Sequence, residues 1–186
     1  KALKSAKMGF DHWKKTPPWE RSKVIRKAAD LIRENKEIIA KWISLEVGKP
    51  LKESLAEVEG SAEIFEWNAE ETKRIFGQNI ESRFPSTRMN VYYQPIGVVA
   101  ALVPWNFPCI LASRKISTAL AAGCSVICKP DTITPGSVMS LVDIINKAGF
   151  PDGANNWLSG DPAKGAEQLI SSDIAKKATI TRTTRV

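Results

Sequence analysis

From Val98 onward the chain alternates short apolar runs with stretches of helical period, and this restricts the possible folds more than any other feature. An apolar run over Val98–Val103 leads into a helix-period stretch over Pro108–Ala122, then a second run at Ser125–Cys128. A helix pattern over Pro135–Ala148 is stopped by Gly149. A strand at Asn155–Leu158, a helix at Lys164–Ser171 and a last strand at Ala178–Thr181 complete the series. Strands separated by helices do not pair as hairpins; they lie parallel, with the crossover helices on both faces of the sheet. The fold class is therefore α/β.

The segment before this alternation reads as helical. Residues 19–48 carry Val24, Ile25, Ala28, Leu31, Ile32, Ile38, Ile39, Trp42 and Ile43 at helical spacing, with Pro17 and Pro18 before them and Gly48 and Pro50 after. A second helix is expected over residues 51–76, with Leu55, Val58, Ala62, Phe65 and Ala69 on one face and Gly77 at its end. Both stripes read as core packing. "NVYYQPIG" reads as an extended segment broken at Pro95. The first residues open without Met, inside a helical pattern, and have no apolar stretch of a signal peptide.

Charge and cysteine usage narrow the class further. The net charge of +7 comes from residues 1–27, where nine lysines or arginines face only Asp11 and Glu20. A basic end on an otherwise neutral chain reads as a solvated helix face, so no nucleic-acid partner is expected. No apolar run approaches the ~20 residues of a membrane span, so no membrane partner is expected either. Cys109, Cys124 and Cys128 are odd in number and sit among apolar neighbours, which fits free thiols in a reducing, cytoplasmic setting. The only histidine, His12, is remote from them, and no metal site is expected.

In parallel sheets, ligands bind at the carboxyl ends of the strands. Three polar punctuations fall there: "PWNFP", "KPDTITPG" and "SGDPAKG". The G-x-G-x-x-G fingerprint is absent, and Gly160 and Gly165 alone are a weak phosphate signal.

These residues carry a resemblance. "PIGVVAALVPWNFP", the lysines within "ASRKISTALAAGCSVICKP", "TPGS" and "AGFPDG" resemble the aldehyde dehydrogenase superfamily, as do "TPPWERSKVIRKAADLIRENKEIIA" and "EVGKPLKES" nearer the start. The resemblance covers nearly the whole chain and implies its amino-terminal half. Residues 1–83 would form a helical N-terminal segment preceding, and packing on, a Rossmann-like NAD(P)-binding region over residues 84–186, a parallel sheet flanked by helices. Members oxidise an aldehyde to a carboxylic acid. A cysteine attacks the aldehyde, a hydride passes from the thiohemiacetal to NAD or NADP, and a glutamate assists release by water. That cysteine, that glutamate and the oligomerisation strand lie in the family beyond the segment seen here. The implied partners are a small aldehyde and, in a full-length parent, further copies of the same chain. The alternative is a non-catalytic truncated relative that keeps a nucleotide-binding or assembly role.

The resemblance also assigns roles. On its own, Asn106 between Pro104 and Pro108 reads as a turn residue; the resemblance makes its side-chain amide the donor that stabilises an oxyanion on the substrate. Val103, Pro104 and Trp105 would line the cofactor side, with loop packing as the plain alternative. Lys129 reads as a solvated strand-end lysine or, by resemblance, as a ribose ligand. Lys115 has a counterpart in the family as well, and on its own reads as a helix-surface or structural residue. Thr132 stands where NAD-preferring members carry glutamate, so NADP is expected to be tolerated beside NAD. Gly160, Gly165, Arg182 and Thr183 fall where the pyrophosphate would lie. There "SGDPAKG" is shorter than the family's glycine loop, and Arg182 replaces the glycine of a Thr-Gly-Ser-Thr turn.

Overall fold

The computed structural model describes residues 1–181. Four helices come first: α1 (Ala2–Trp13), α2 (Pro18–Glu34), α3 (Lys36–Val47) and α4 (Leu51–Glu71). A short antiparallel hairpin follows, β1 (Gln78–Ile80) with β2 (Met89–Val91). The alternating part is β3 (Val98–Leu102), α5 (Pro108–Ala121), β4 (Ser125–Lys129), α6 (Pro135–Asn146), β5 (Asn155–Trp157), α7 (Pro162–Ile170) and β6 (Ala175–Ile180). The four strands β3 to β6 form one all-parallel sheet in the order β5-β4-β3-β6. The α/β reading of the sequence therefore holds.

The sheet separates two apolar clusters because successive side chains point to opposite faces. Val99, Ala101, Val126 and Cys128 face the larger cluster, which includes residues of α2, α3, α4, α5 and α6. Val98, Ala100, Leu102 and Ile127 face the smaller one, closed by Leu3, Ala6 and Phe10 of α1 and by Ala166 and Leu169 of α7. Burying side chains such as Ile25, Phe65, Ile116 and Leu141 stabilises by about 1.5–3 kcal/mol each before entropy is counted. Trp13 bridges α1 to the larger cluster. Its ring meets Phe150 edge-on at 5.2 Å between centroids, and its indole N–H donates to the Leu120 carbonyl at 2.9 Å.

The structure corrects the sequence reading in four places. The single helix expected over residues 19–48 is two helices. At Asn35 the backbone turns to φ −110°, ψ 16°, and the side-chain amide donates to the Leu31 carbonyl at 2.8 Å, giving the chain an alternative to the helical ladder. The helix expected to run to residue 76 ends at Glu71 and tightens into a 3-10 turn, Thr72–Arg74. The β1–β2 hairpin follows that expected helix, and only β2 touches the segment read as extended; its strands are three residues long and largely exposed, so they carry no alternation to read. Finally α7 starts at Pro162 rather than Lys164, because Asp161 caps it by accepting the Lys164 amide at 2.9 Å.

Candidate functional site

The chain runs from β3 outward through β4 to β5, then returns to place β6 on the other side of β3. The crevice beyond the carboxyl ends of β3 and β6 is thus the switch point of the sheet, where open α/β folds bind ligands. The segment leaving β3 there is Val103 to Phe107. Val103 is buried and its amide donates to the Lys129 carbonyl at 3.1 Å. Pro104 is half-buried, and Trp105 and Asn106 are exposed. Pro108 then opens α5 at its first position, where the missing N–H costs nothing.

This strap is held from the corner between α3 and α4. Lys49 donates from Nζ to the Asn106 carbonyl at 3.1 Å and lies over the Phe107 ring, 3.9 Å from its centroid. Its counter-ion is Glu57 of α4, at 2.6 Å, whose side chain is 1% exposed. The other Glu57 carboxylate oxygen accepts the Cys109 and Ile110 amides at 2.9 and 3.3 Å, which occupies the free N–H groups at the start of α5. Glu46 of α3 does the same for α6, accepting the Gly136 and Ser137 amides at 2.7 and 2.8 Å and the Ser137 hydroxyl. The two helix N-termini after β3 and β4 are therefore filled by the protein's own carboxylates and offer no seat to a phosphate.

Lys129 ends β4 beside Leu102, its register partner on β3. It is 5% exposed, and its amine has no hydrogen-bond or ion-pair partner among the described residues. It lines a cavity of 210 Å³ with Leu158, Ser159, Gly160, Asp161, Lys164 and Gly165. Its stem lies across α7 at Gly165, where a Cβ would come within 2.8 Å of Lys129 Cε. Gly160 has φ +142°, a conformation other residues rarely adopt, and that lets the chain turn from β5 into the cap of α7. The structure thus brings Lys129, Gly160 and Gly165 into one cavity. Thr132 lies apart from its lining, exposed on the loop after β4. The neighbouring Asp131 carboxylate turns back into that loop, accepting the Ile133 amide at 3.1 Å and the Thr132 hydroxyl at 3.4 Å. Thr134, one turn on, is fully buried with its hydroxyl unpartnered among the described residues.

A larger cavity, 430 Å³, lies elsewhere. It is mostly apolar and runs along α5 and the sheet from Ile96 and Cys124, at the amino ends of the strands, to Thr179. It opens toward the strand amino ends, which are not where such sheets bind ligands. Lys115 lines it and ties α5 to β6, donating to the Thr181 and Thr179 hydroxyls at 2.7 and 3.3 Å. Burial pulls its amine below the usual lysine value. None of the three thiols is poised for nucleophilic attack. Cys109 and Cys128 are buried, and burial pushes the Cys128 thiol up to about 12 and the Cys109 thiol well above its ordinary value, the latter aided by the Glu57 and Glu46 carboxylates. Cys124 is also buried.

Arg182 and Thr183 lie outside the described residues. Sequence reasoning missed Lys49, Glu57 and Glu46, which brace the site's two loops from another part of the chain. Only "EVGKPLKES", which holds Glu46 and Lys49 and stops three residues short of Glu57, pointed near them.

A sequence profile of the aldehyde dehydrogenase family matches residues 1–186. The chain is 41% identical over 180 residues to 4-(hydroxymethyl)benzenesulfonate dehydrogenase of Comamonas testosteroni, spanning 97% of this chain and 38% of that protein. It is 40% identical to succinate semialdehyde dehydrogenase of Acinetobacter baylyi, over all of this chain and 38% of that one. Among solved structures, an Escherichia coli NADP-dependent enzyme superposes with a TM-score of 0.93 at 37% identity, covering 95% of this chain and 37% of its own. The chain thus spans a little over a third of the length of the relatives it matches.

Proposed function

Because this chain belongs to the aldehyde dehydrogenase family, we propose that it contributes the strand-end platform of an NAD(P)-dependent enzyme that oxidises a small aldehyde to a carboxylic acid. The observation that carries this reading is Lys129: a lysine 5% exposed, with no hydrogen-bond or ion-pair partner among the described residues, at a strand carboxyl end and lining a cavity one strand away from the Asn106 strap. An amine that lines a cavity and is not spent on a protein acceptor is available to donate to a ligand there. Vicinal hydroxyls of a nucleotide ribose fit that need.

The residues fit a nicotinamide cofactor. Lys129 would bind its ribose. Gly160 and Gly165 would keep side chains out of the cavity wall, and Val103, Pro104 and Trp105 would line the approach from β3. Position 132 itself carries no carboxylate, and that of Asp131 turns back onto the Ile133 amide and the Thr132 hydroxyl; a glutamate at position 132 would repel a 2′-phosphate by about 1–3 kcal/mol. Such a cofactor supplies the oxidising power by accepting a hydride. The chain's own contribution is Asn106, whose exposed amide would donate to the aldehyde oxygen as negative charge develops on it. The described thiols are buried and unactivated, so the attacking sulfur is not among them.

Asn106→Ala in the native full-length protein tests the reading. Aldehyde oxidation should slow by roughly 10²–10³, with cofactor affinity unchanged. An undiminished rate would remove Asn106 from the chemistry.

A further inference from the structure

We propose that the Lys49–Glu57 ion pair is a positioning device for Asn106, and that Lys49 sets the rate of the chemical step by fixing where the Asn106 amide points. The inference rests on the reading of Asn106 as the oxyanion donor.

An oxyanion donor works only if it is already aimed, and misplacement by about 1 Å can lower a rate by roughly a hundredfold. Asn106 itself is poorly restrained. It is exposed, and its side-chain amide has no partner among the described residues. Its backbone is what is held. Lys49 Nζ grips the Asn106 carbonyl at 3.1 Å and covers the next side chain, Phe107, at 3.9 Å from the ring centroid. Glu57 then fixes both ends of the grip. One oxygen binds Lys49 at 2.6 Å, and the other takes the Cys109 and Ile110 amides that begin α5. The strap from Asn106 to Ile110 is thus fastened to α4 at successive points by one ion pair.

Lys49 is placed with equal care. It sits between Gly48, which closes α3 in the left-handed region at φ +78°, and Pro50, which precedes α4. The two set the backbone on each side of it. Its side chain is 11% exposed and that of Glu57 is 1%, so little water competes for the contact. Helix capping alone would require only Glu57. A lysine that spends its amine on the carbonyl of the donor residue is explained by a need to orient that residue.

The test is a cycle of variants in the native full-length protein, read by single-turnover oxidation of an aldehyde, cofactor affinity and thermal melting. Lys49→Met should slow the chemical step by roughly ten- to a hundredfold while cofactor affinity stays within about twofold. Lys49→Arg should recover most of the rate, since a guanidinium can hold both the carbonyl and Glu57. Made on top of Asn106→Ala, Lys49→Met should add no further slowing. Lys49→Met also strands the Glu57 charge, which can unfold the protein. The pair Lys49→Met with Glu57→Gln avoids this, keeps an acceptor for the Cys109 amide and carries the same expectation. Equal slowing in the presence and absence of Asn106 would make Lys49 merely structural and overturn the proposal. A slow Asn106→Ala beside a fast Lys49→Met would overturn the positioning role and leave the donor reading standing. A fast Asn106→Ala would remove both.

Discussion

Gly165 makes room for Lys129: a Cβ at position 165 would stand 2.8 Å from Lys129 Cε and 3.5 Å from Cδ. The helix would gain from alanine, by about 0.5–1 kcal/mol relative to glycine, but the lysine stem would have to swing away. Gly165→Ala is therefore expected to keep or raise thermal stability while weakening NAD(P) binding. Lys129→Met, which keeps the stem and removes the amine, should weaken binding without the clash. Titration of cofactor by calorimetry on both variants checks this; unaltered affinity in Lys129→Met would mean that the amine faces no ribose.

Thr132 should govern the choice between the two cofactors. Its loop already engages the Asp131 carboxylate internally, through the Ile133 amide and the Thr132 hydroxyl. Thr132→Glu adds a carboxylate that can accept from a free ribose hydroxyl but repels a 2′-phosphate, by about 1–3 kcal/mol. The ratio of NADP to NAD dissociation constants should rise roughly 5- to 150-fold. A constant ratio would show that the side chain does not face the adenosine ribose.

The docking of α1 depends on two glycines. A Cβ on Gly9 would lie 2.1 Å from the Gly153 carbonyl carbon, and one on Gly153 would lie 2.2 Å from the Ser5 carbonyl oxygen. Both obstructions are backbone, which cannot rotate away. Gly9→Ala should therefore lift α1 from the loop before β5 and strain the Ser125 hydroxyl bond to the Ala6 carbonyl, now 2.8 Å. A loss of about 1–3 kcal/mol in urea unfolding is expected. A variant as stable as the parent would mean that α1 is not seated as described.

The buried thiols predict an alkaline weakness. Cys128 has its pKa raised to about 12 by burial, from an ordinary value of 9.0. Below that ordinary value neither folded nor unfolded chain loses the proton. Between the two values the unfolded chain ionises and the native chain does not, so stability falls as pH rises through that window, by up to about 1.4 kcal/mol per pH unit. Cys109, shifted in the same direction, adds to the fall. Unfolding in urea at about pH 8 and about pH 10 should show a shallower decline for Cys128→Ala than for the parent, even though the cavity lowers its stability at both. Parallel declines would assign the weakness to other groups.

The centre of the sheet was legible because β3 and the middle of β4 are apolar and the helices α5 and α6 stop close to Gly123 and Gly149. Val98–Leu102 and Ser125–Lys129 are buried at every position, and burial on both faces demands such runs. β6 was read too short because it carries Lys176 and Lys177 and is defined by pairing with β3, a partner far away in sequence. The break at Asn35 and the β1–β2 hairpin were hidden for the same reason: one competing side-chain bond or three paired residues leave no periodic trace.

The sequence by itself determined the α/β class, since apolar period is a local property; on local chemistry Asn106 reads as a turn residue and Lys129 as a solvated strand-end lysine, and only the resemblance to a family singled them out. Only the tertiary structure decided that Lys129 lines a cavity without a partner among the described residues, and that it crosses Gly165. It also decided that Glu57 and Glu46 fill the helix starts that a phosphate could have used, and that Lys49 holds the Asn106 strap. Those relations join residues 36 to 91 positions apart, and their strength comes from exclusion of water, which no local pattern of residues can specify.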